Sequence, residues 1–77
     1  MERESFEKSL RAFTRQTPFH PFLIELVSGS QFSVDHPEAL AFRGGAACHF
    51  SQDGTPTLFN HRGVTRLIGT VDVANSN

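Results

Sequence analysis

The sequence predicts a mainly β domain with one N-terminal α-helix, folded as a small SH3- or Sm-like antiparallel barrel of five or six strands. Three observations predict it: one helical apolar stripe at the start of the chain, several short alternating apolar runs after it, and turn signals about every ten residues. A barrel also removes the exposed strand edges that a small open sheet leaves. The 77 residues are expected to form a single domain.

The helix is predicted over residues 2–15. Phe6, Leu10 and Phe13 are spaced by four and three residues, which places them on one helical stripe. Acidic residues lie near the start of this segment and basic residues toward its end, an order that suits the helix dipole. The helix is expected to stop before Pro18, because the residue preceding a proline avoids helical dihedral angles.

The remainder of the domain, over about residues 22–69, is predicted as short strands joined by tight turns. Gly29 supplies the turn of the first hairpin, and the segment NHRG is predicted as a 3₁₀ turn before the last strand. Alternation leaves the inward face of that last strand unassigned. Residues 70–77 lose apolar density and are expected to form a loose tail. The predicted strands cover residues 22–27, 31–34, 39–43, 46–51, 57–60 and 64–68.

The segment DHPEAL interrupts the second half of the first hairpin. Asp35 is predicted to cap a short helical turn that begins at Pro37, since aspartate is a good N-cap and proline suits a first turn. A polar loop on a rigid scaffold is also where binding residues often lie. His36 and Glu38 are therefore candidate binding residues.

Composition argues against several functions. Seven basic and eight acidic residues give a net charge of -1, which creates no long-range field for nucleic acid or an anionic membrane. A single Cys excludes an internal disulfide and favours a reducing compartment, so a cytoplasmic location is expected. No apolar run approaches the roughly 20 residues of a membrane span, and the charged N-terminal segment lacks the apolar stretch of a secretory signal.

The residues that could perform catalysis are not arranged for it. Cys48 and His49 are neighbours in a predicted strand, so their side chains point to opposite faces and do not form a thiol–imidazole pair. Cys48 shares its face with Ala46 and Phe50, which predicts that its side chain is buried. The four histidines lack the spacing of a zinc site. No catalytic residue, cofactor site or metal ligand is therefore predicted.

A basic stripe lies on the helix. Lys8, Arg11 and Arg15 share one helical sector opposite the apolar stripe and could contact phosphate groups of RNA. A solvated helix face is the simpler interpretation of the same pattern.

Two resemblances extend these predictions. The segment PFHPFLIELVSGSQFSVDHPEAL resembles small bacterial proteins of unknown function that share a Pro-Phe-x-Pro-Phe segment, a strand, a Gly turn and a Val-x-His-Pro-Glu ending. More distantly, the element order resembles Sm-like proteins, whose N-terminal helix caps a bent five-stranded barrel. Phe59 and His61 are similar to the aromatic-x-His turn of the bacterial Sm-like RNA chaperone. This second resemblance implies RNA binding at His61, and Arg62 beside it is a further candidate.

These observations favour a small non-catalytic interaction module. Apolar residues on both faces of the first strand, such as Leu23 beside Ile24, suggest that a second layer or another subunit covers one of them. The expected partner is another protein or a second copy of the chain, which could pair with a poorly covered strand edge. An Sm-like RNA-binding protein is the alternative hypothesis, and an enzyme that uses Cys48 or the histidines ranks last.

Overall fold

The structure is a computed structural model that describes residues 1–69. Over this range the chain forms one α-helix, six strands and two single-turn 3₁₀ helices, so the mainly β prediction with one N-terminal helix is confirmed. The predicted loose tail, residues 70–77, lies outside the described residues. The elements are α1 (Arg3–Thr14), β1 (Phe22–Leu26), β2 (Gln31–Val34), η1 (Pro37–Ala39), β3 (Leu40–Arg43), β4 (Ala46–Phe50), β5 (Pro56–Asn60), η2 (His61–Gly63) and β6 (Val64–Gly69).

The strands form two antiparallel sheets. The first sheet has the order β2-β1-β6, and the second has the order β3-β4-β5. The helical turn η1 lies between β2 and β3 and therefore connects the two sheets along the chain. Within residues 1–69 the strand pairs do not close into one barrel, so the closed barrel stays a prediction.

The core lies between the helix and the two sheets. Its buried side chains come from α1 and from strands of both sheets, as the helical stripe and the alternating runs predict. Phe13 stacks on Phe22 at 4.8 Å between ring centroids, and Phe19 packs edge-on against the same ring at 6.2 Å. The buried core residues are Phe6, Leu10, Phe22, Ile24, Val34, Leu40, Ala47 and Val64.

A row of ring contacts crosses the gap between the two sheets. Phe6 of α1 meets Phe59 of the second sheet edge-on at 6.2 Å. Phe59 in turn meets Phe32 of the first sheet at 5.3 Å, and Phe32 lies 4.6 Å from the ring of His49 in the second sheet. Edge-to-face aromatic pairs contribute about 0.5–1.5 kcal/mol each beyond their burial. The row therefore links the sheets, which share no strand pairing in the described part of the chain.

A β-bulge sets the orientation of β6. Glu25 pairs with Arg66 and Leu26 pairs with Val64, so Thr65 is an extra residue between the two pairs. Val64 therefore faces the core together with Leu67, although simple alternation places them on opposite faces. On the outer side of this sheet, Arg66 Nε donates to Glu25 Oε1 at 2.6 Å, and this hydrogen bond lowers the pKa of Glu25.

The prediction that Cys48 lies on the buried face of β4 is wrong. Ala47 and His49 are buried, whereas Phe50 is 42% exposed and Cys48 is only partly buried on the outer side of the sheet. The cause is the pairing with β3, in which Leu40 lies opposite His49. Because Leu40 faces the core, its partner faces the core as well.

The turn between β3 and β4 closes against η2. Gly45 has a φ of +85°, and its carbonyl accepts a hydrogen bond from the backbone N–H of His61 at 2.8 Å. The His61 ring is fixed in turn, because its Nδ1 donates to the Met1 carbonyl at 2.9 Å. A Cβ atom on Gly45 would lie 2.8 Å from Cδ2 of His61, so this position requires glycine for space as well as for conformation.

Gly45→Ala should therefore destabilise the fold more than Gly29→Ala. Both glycines have positive φ angles, so each substitution introduces backbone strain of about 1–3 kcal/mol. The Cβ at residue 29 meets open space, whereas the one at residue 45 collides with the His61 ring. Urea unfolding of both variants measures the difference. Equal losses of stability would show that the His61 ring is not held in place.

The turn between β4 and β5 holds a carboxylate with a low pKa. The Ser51 hydroxyl donates to Asp53 Oδ1, and the backbone N–H of Thr55 donates to the same oxygen at 3.1 Å. These hydrogen bonds, that of Ser51 first, lower the pKa of Asp53 to about 2.

The stabilisation from Asp53 should be present above its ordinary pKa of about 3.9 and should be lost as the pH falls toward about 2. The sign follows from a folded-state pKa below that of the unfolded chain. An NMR titration of the Asp53 carboxyl carbon should give a midpoint near 2. Ser51→Ala should raise that midpoint toward the ordinary value, and an unchanged midpoint would contradict the assigned cause.

Candidate functional site

A cleft of about 400 Å³ opens where the connection between the two sheets meets the end of β4. One wall comes from the end of β2 and from η1, and the other comes from β4 and the turn after it. We call it the His36 cleft. Its lining residues are Ser33, Asp35, His36, Glu38, Ala39, His49, Phe50, Ser51 and Gln52.

The first wall follows from the DHPEAL segment. The predicted helical turn is present, with Pro37 in its first position, but its N-cap residue is His36, whose side chain makes no capping hydrogen bond. The prediction that Asp35 caps this turn is therefore wrong. The Asp35 carboxylate instead accepts a hydrogen bond from the Ser33 hydroxyl at 2.7 Å. Because neither His36 nor Glu38 is used in the cap, both side chains stay exposed along the cleft.

The opposite wall is built on His49. This side chain is 8% exposed, and its Nε2 lies 3.0 Å from the backbone carbonyl of Ser33. A carbonyl oxygen only accepts hydrogen bonds, so Nε2 carries the proton and donates. In the neutral ring Nδ1 is then an acceptor. His49 therefore connects β4 to β2 and is one of the residues that line the cleft together with two carboxyl groups.

The charges and the ring at the cleft define what it can hold. Two carboxyl groups, Asp35 and Glu38, line it, and its lining includes no lysine or arginine. The partly exposed ring of Phe50 lies in the same lining. Carboxylates accept hydrogen bonds from guanidinium groups in bidentate geometry, and aromatic faces attract the same cation. The lining is therefore suited to a cationic side chain and unsuited to a phosphate.

The other predicted binding residues lie elsewhere. His61 is engaged with Met1 and Gly45, and its neighbour Arg62 is exposed in η2. Neither residue lines the His36 cleft, so the structure separates these two candidates from His36 and Glu38. The basic residues of the predicted helical stripe, Lys8, Arg11 and Arg15, are all exposed.

The arrangement offers no thiol–imidazole pair at β4. Cys48 faces outward and His49 faces the core, as neighbouring strand residues must. Among residues 1–69, no group of three or more His, Cys, Asp or Glu side chains is placed to hold a metal ion. Over the same residues, no helix combines the length and the apolar character that a membrane span requires.

The sequence analysis predicted none of the cleft residues that come from β4 and the turn after it, which are His49, Phe50, Ser51 and Gln52. The sequence contains one signal that points to them. If residues 40 and 42 face inward and the RGG segment makes a tight turn, antiparallel pairing places His49 opposite Leu40. That register brings the end of β4 beside the DHPEAL segment, whereas the apolar pattern of β4 alone does not.

His49→Phe should lower the free energy of unfolding by about 1–3 kcal/mol, because it keeps a ring beside Phe32 but leaves the Ser33 carbonyl without its donor. The matched control is His36→Phe, which changes an exposed side chain and should stay within about 0.5 kcal/mol of the unaltered protein. Urea denaturation followed by circular dichroism measures both. Equal stabilities of the two variants would contradict a structural role for the His49–Ser33 hydrogen bond.

Comparisons with known proteins found no relative for this chain. No protein-family model matches it, and neither a curated protein nor a solved structure does. The resemblance to Sm-like proteins therefore stays a prediction, and the function is argued from the geometry of the cleft.

Proposed function

We propose that this chain is a small non-catalytic interaction module that binds a protein partner by an arginine side chain held in the His36 cleft. The observation that carries the proposal is the cleft lining, which contains two carboxyl groups, two imidazoles and one exposed ring but no lysine or arginine. A lysine ammonium would satisfy the charge. A guanidinium additionally matches the planar carboxylate and the Phe50 face, so arginine is the better fit.

Hydrogen bonds and ring contacts hold two of the cleft side chains in place, which favours a preformed site. His49 is fixed by the Ser33 carbonyl and by the ring of Phe32, and Asp35 is held by the Ser33 hydroxyl. Side chains that are already ordered lose less conformational entropy when a ligand binds. Glu38 and His36 are exposed, so they can adjust to the ligand.

The proposed affinity is modest. Ion pairs between exposed groups contribute about 0.2–1 kcal/mol each, so one arginine cannot supply tight binding by itself. The cleft is therefore proposed as the specific contact within a larger protein–protein surface. Such an arrangement is typical of weak and reversible recognition.

The proposal also includes a fold relationship and a location. A small SH3- or Sm-like barrel is supported by the order of the elements, with a helix first and the 3₁₀ turn η2 directly before the last strand. Only residues 35–39 separate β2 from β3, so the two can be regarded as halves of one interrupted strand. A cytoplasmic location is supported by the single cysteine in the sequence.

The test is an NMR titration of the ¹⁵N-labelled chain with a short blocked peptide that contains one arginine. The same peptide with citrulline in its place is the matched ligand control, because citrulline keeps the shape and removes the charge. We expect amide shifts confined to residues 33–39 and 49–52 with the arginine peptide, and much smaller shifts with citrulline. Equal binding of the two peptides would exclude the proposed recognition.

Substitutions within the chain test whether the arginine peptide binds at the His36 cleft. Glu38→Gln should weaken binding of the arginine peptide about two- to fivefold, the effect of one exposed ion pair. Glu4→Gln removes an exposed carboxylate from the helix instead and should change nothing. If instead a single-stranded RNA oligonucleotide shifts Lys8, Arg11 and Arg15 with a steep salt dependence, the alternative RNA-binding hypothesis replaces the proposal.

A further inference from the structure

The His36 cleft contains two imidazole rings, those of His36 and His49. Imidazole is the ordinary side chain whose charge changes between about pH 5 and pH 8, so the charge of the cleft lining can change within that range. The proposed ligand of the cleft is itself a cation. Recognition of arginine is therefore expected to depend on whether the rings carry a proton.

The two rings differ in what holds them. His49 is 8% exposed, its Nε2 donates to the Ser33 carbonyl, and its ring lies 4.6 Å from that of Phe32. His36 is exposed, and its side chain makes no capping hydrogen bond at the start of η1. His36 is therefore the ring that can turn toward a ligand in either charge state, whereas His49 is a fixed part of the wall.

The titratable groups that line the cleft beside His36 are two carboxyl groups and one imidazole. Asp35 precedes His36 and Glu38 lies in η1, while His49 comes from β4 on the opposite wall. The remaining lining residues carry no charge. Every formal charge in the lining is therefore carried by these four side chains, and a proton on His36 reduces its negative charge.

We propose that His36 makes arginine binding in the cleft depend on pH: the cleft holds a guanidinium group when this imidazole is neutral and releases it when the imidazole is protonated. The inference rests on the proposed function, since it describes the regulation of the same site. A neutral imidazole has one acceptor nitrogen for a guanidinium N–H, whereas an imidazolium has two donors and no acceptor. Protonation therefore replaces an attraction for the ligand with a repulsion.

The protonated ring also competes with the ligand. An imidazolium is a cation with N–H donors, so it binds carboxylates as a guanidinium does. Asp35 and Glu38, the acceptors that the arginine requires, lie one and two residues from His36 along the chain. A cation that belongs to the chain is present at every ligand concentration. Acidification should therefore weaken arginine binding twice, by repulsion and by occupation of the carboxylates.

The first test measures the affinity of the ¹⁵N-labelled chain for the blocked arginine peptide at about pH 7.5 and at about pH 5.5. Binding should be about two- to fivefold weaker at the lower pH, the effect of one exposed charge. His36→Gln keeps a polar side chain that takes up no proton, so its affinity should be the same at both pH values. His20→Gln is the matched control: His20 is exposed but does not line the cleft, so the full pH dependence should remain.

The second test detects the proton itself. If His36 loses a proton when arginine binds, binding at about pH 6 must release protons to the buffer, because the two equilibria are linked. Isothermal titration calorimetry in two buffers of different ionisation enthalpy measures this release. We expect it in the unaltered chain and in His20→Gln, and little or none of it in His36→Gln.

The outcomes separate this inference from the proposed function. If the arginine peptide does not bind at the higher pH, the proposed function fails and the inference fails with it. If the peptide binds equally at both pH values, or if His36→Gln keeps the pH dependence, the arginine site stands and the role of His36 is wrong. The circular dichroism spectrum should be the same at both pH values. A loss of structure at the lower pH would also overturn the inference, because unfolding would then explain the weaker binding.

Discussion

The row of rings from α1 through both sheets is the contact on which the remainder of the structure depends. The two sheets share no strand pairing within residues 1–69, so the chain connections through η1 and η2 and the contacts of side chains hold them together. Phe6, Phe59, Phe32 and His49 form that packing across the gap. A chain of this length buries only about 60% of the surface exposed when unfolded, so few other contacts could replace it. The last ring of the row, that of His49, also lines the His36 cleft.

Local sequence patterns predict most elements of the fold. They do not always predict which face of a strand is buried. The stripe of Phe6 and Leu10 and the turn glycines place the helix and the strands to within one or two residues. The apolar pattern of β4 predicts the wrong buried face, because Cys48 and Phe50 are together more apolar than Ala47 and His49, which are the residues buried. In β6 the bulge at Thr65 changes the alternation. Both outcomes are decided by pairing with a neighbouring strand, which one strand's sequence does not contain.

The residues of the candidate site also divide into those that the local sequence predicts and those that depend on contacts between strands. His36 and Glu38 could be named from the sequence because a polar loop that breaks a strand is visible in the chain itself. His49 could not, because its role depends on the carbonyl of Ser33, a group that belongs to another sheet and is present in every residue type. Asp35 illustrates the converse. Its position in the sequence favours a helix cap, but its carboxylate accepts a hydrogen bond from the Ser33 hydroxyl instead.

Phe50 lines the His36 cleft and also lies on the outer side of the second sheet, where it pairs with Pro56 of β5. If the binding of one ligand at this ring changes the affinity for another ligand, the effect is reciprocal and has the same factor in both directions. A ligand in the cleft that reorients the Phe50 ring would therefore also change the outer surface of the second sheet. No movement of the backbone is required for such coupling, because a rotamer preference suffices to carry it.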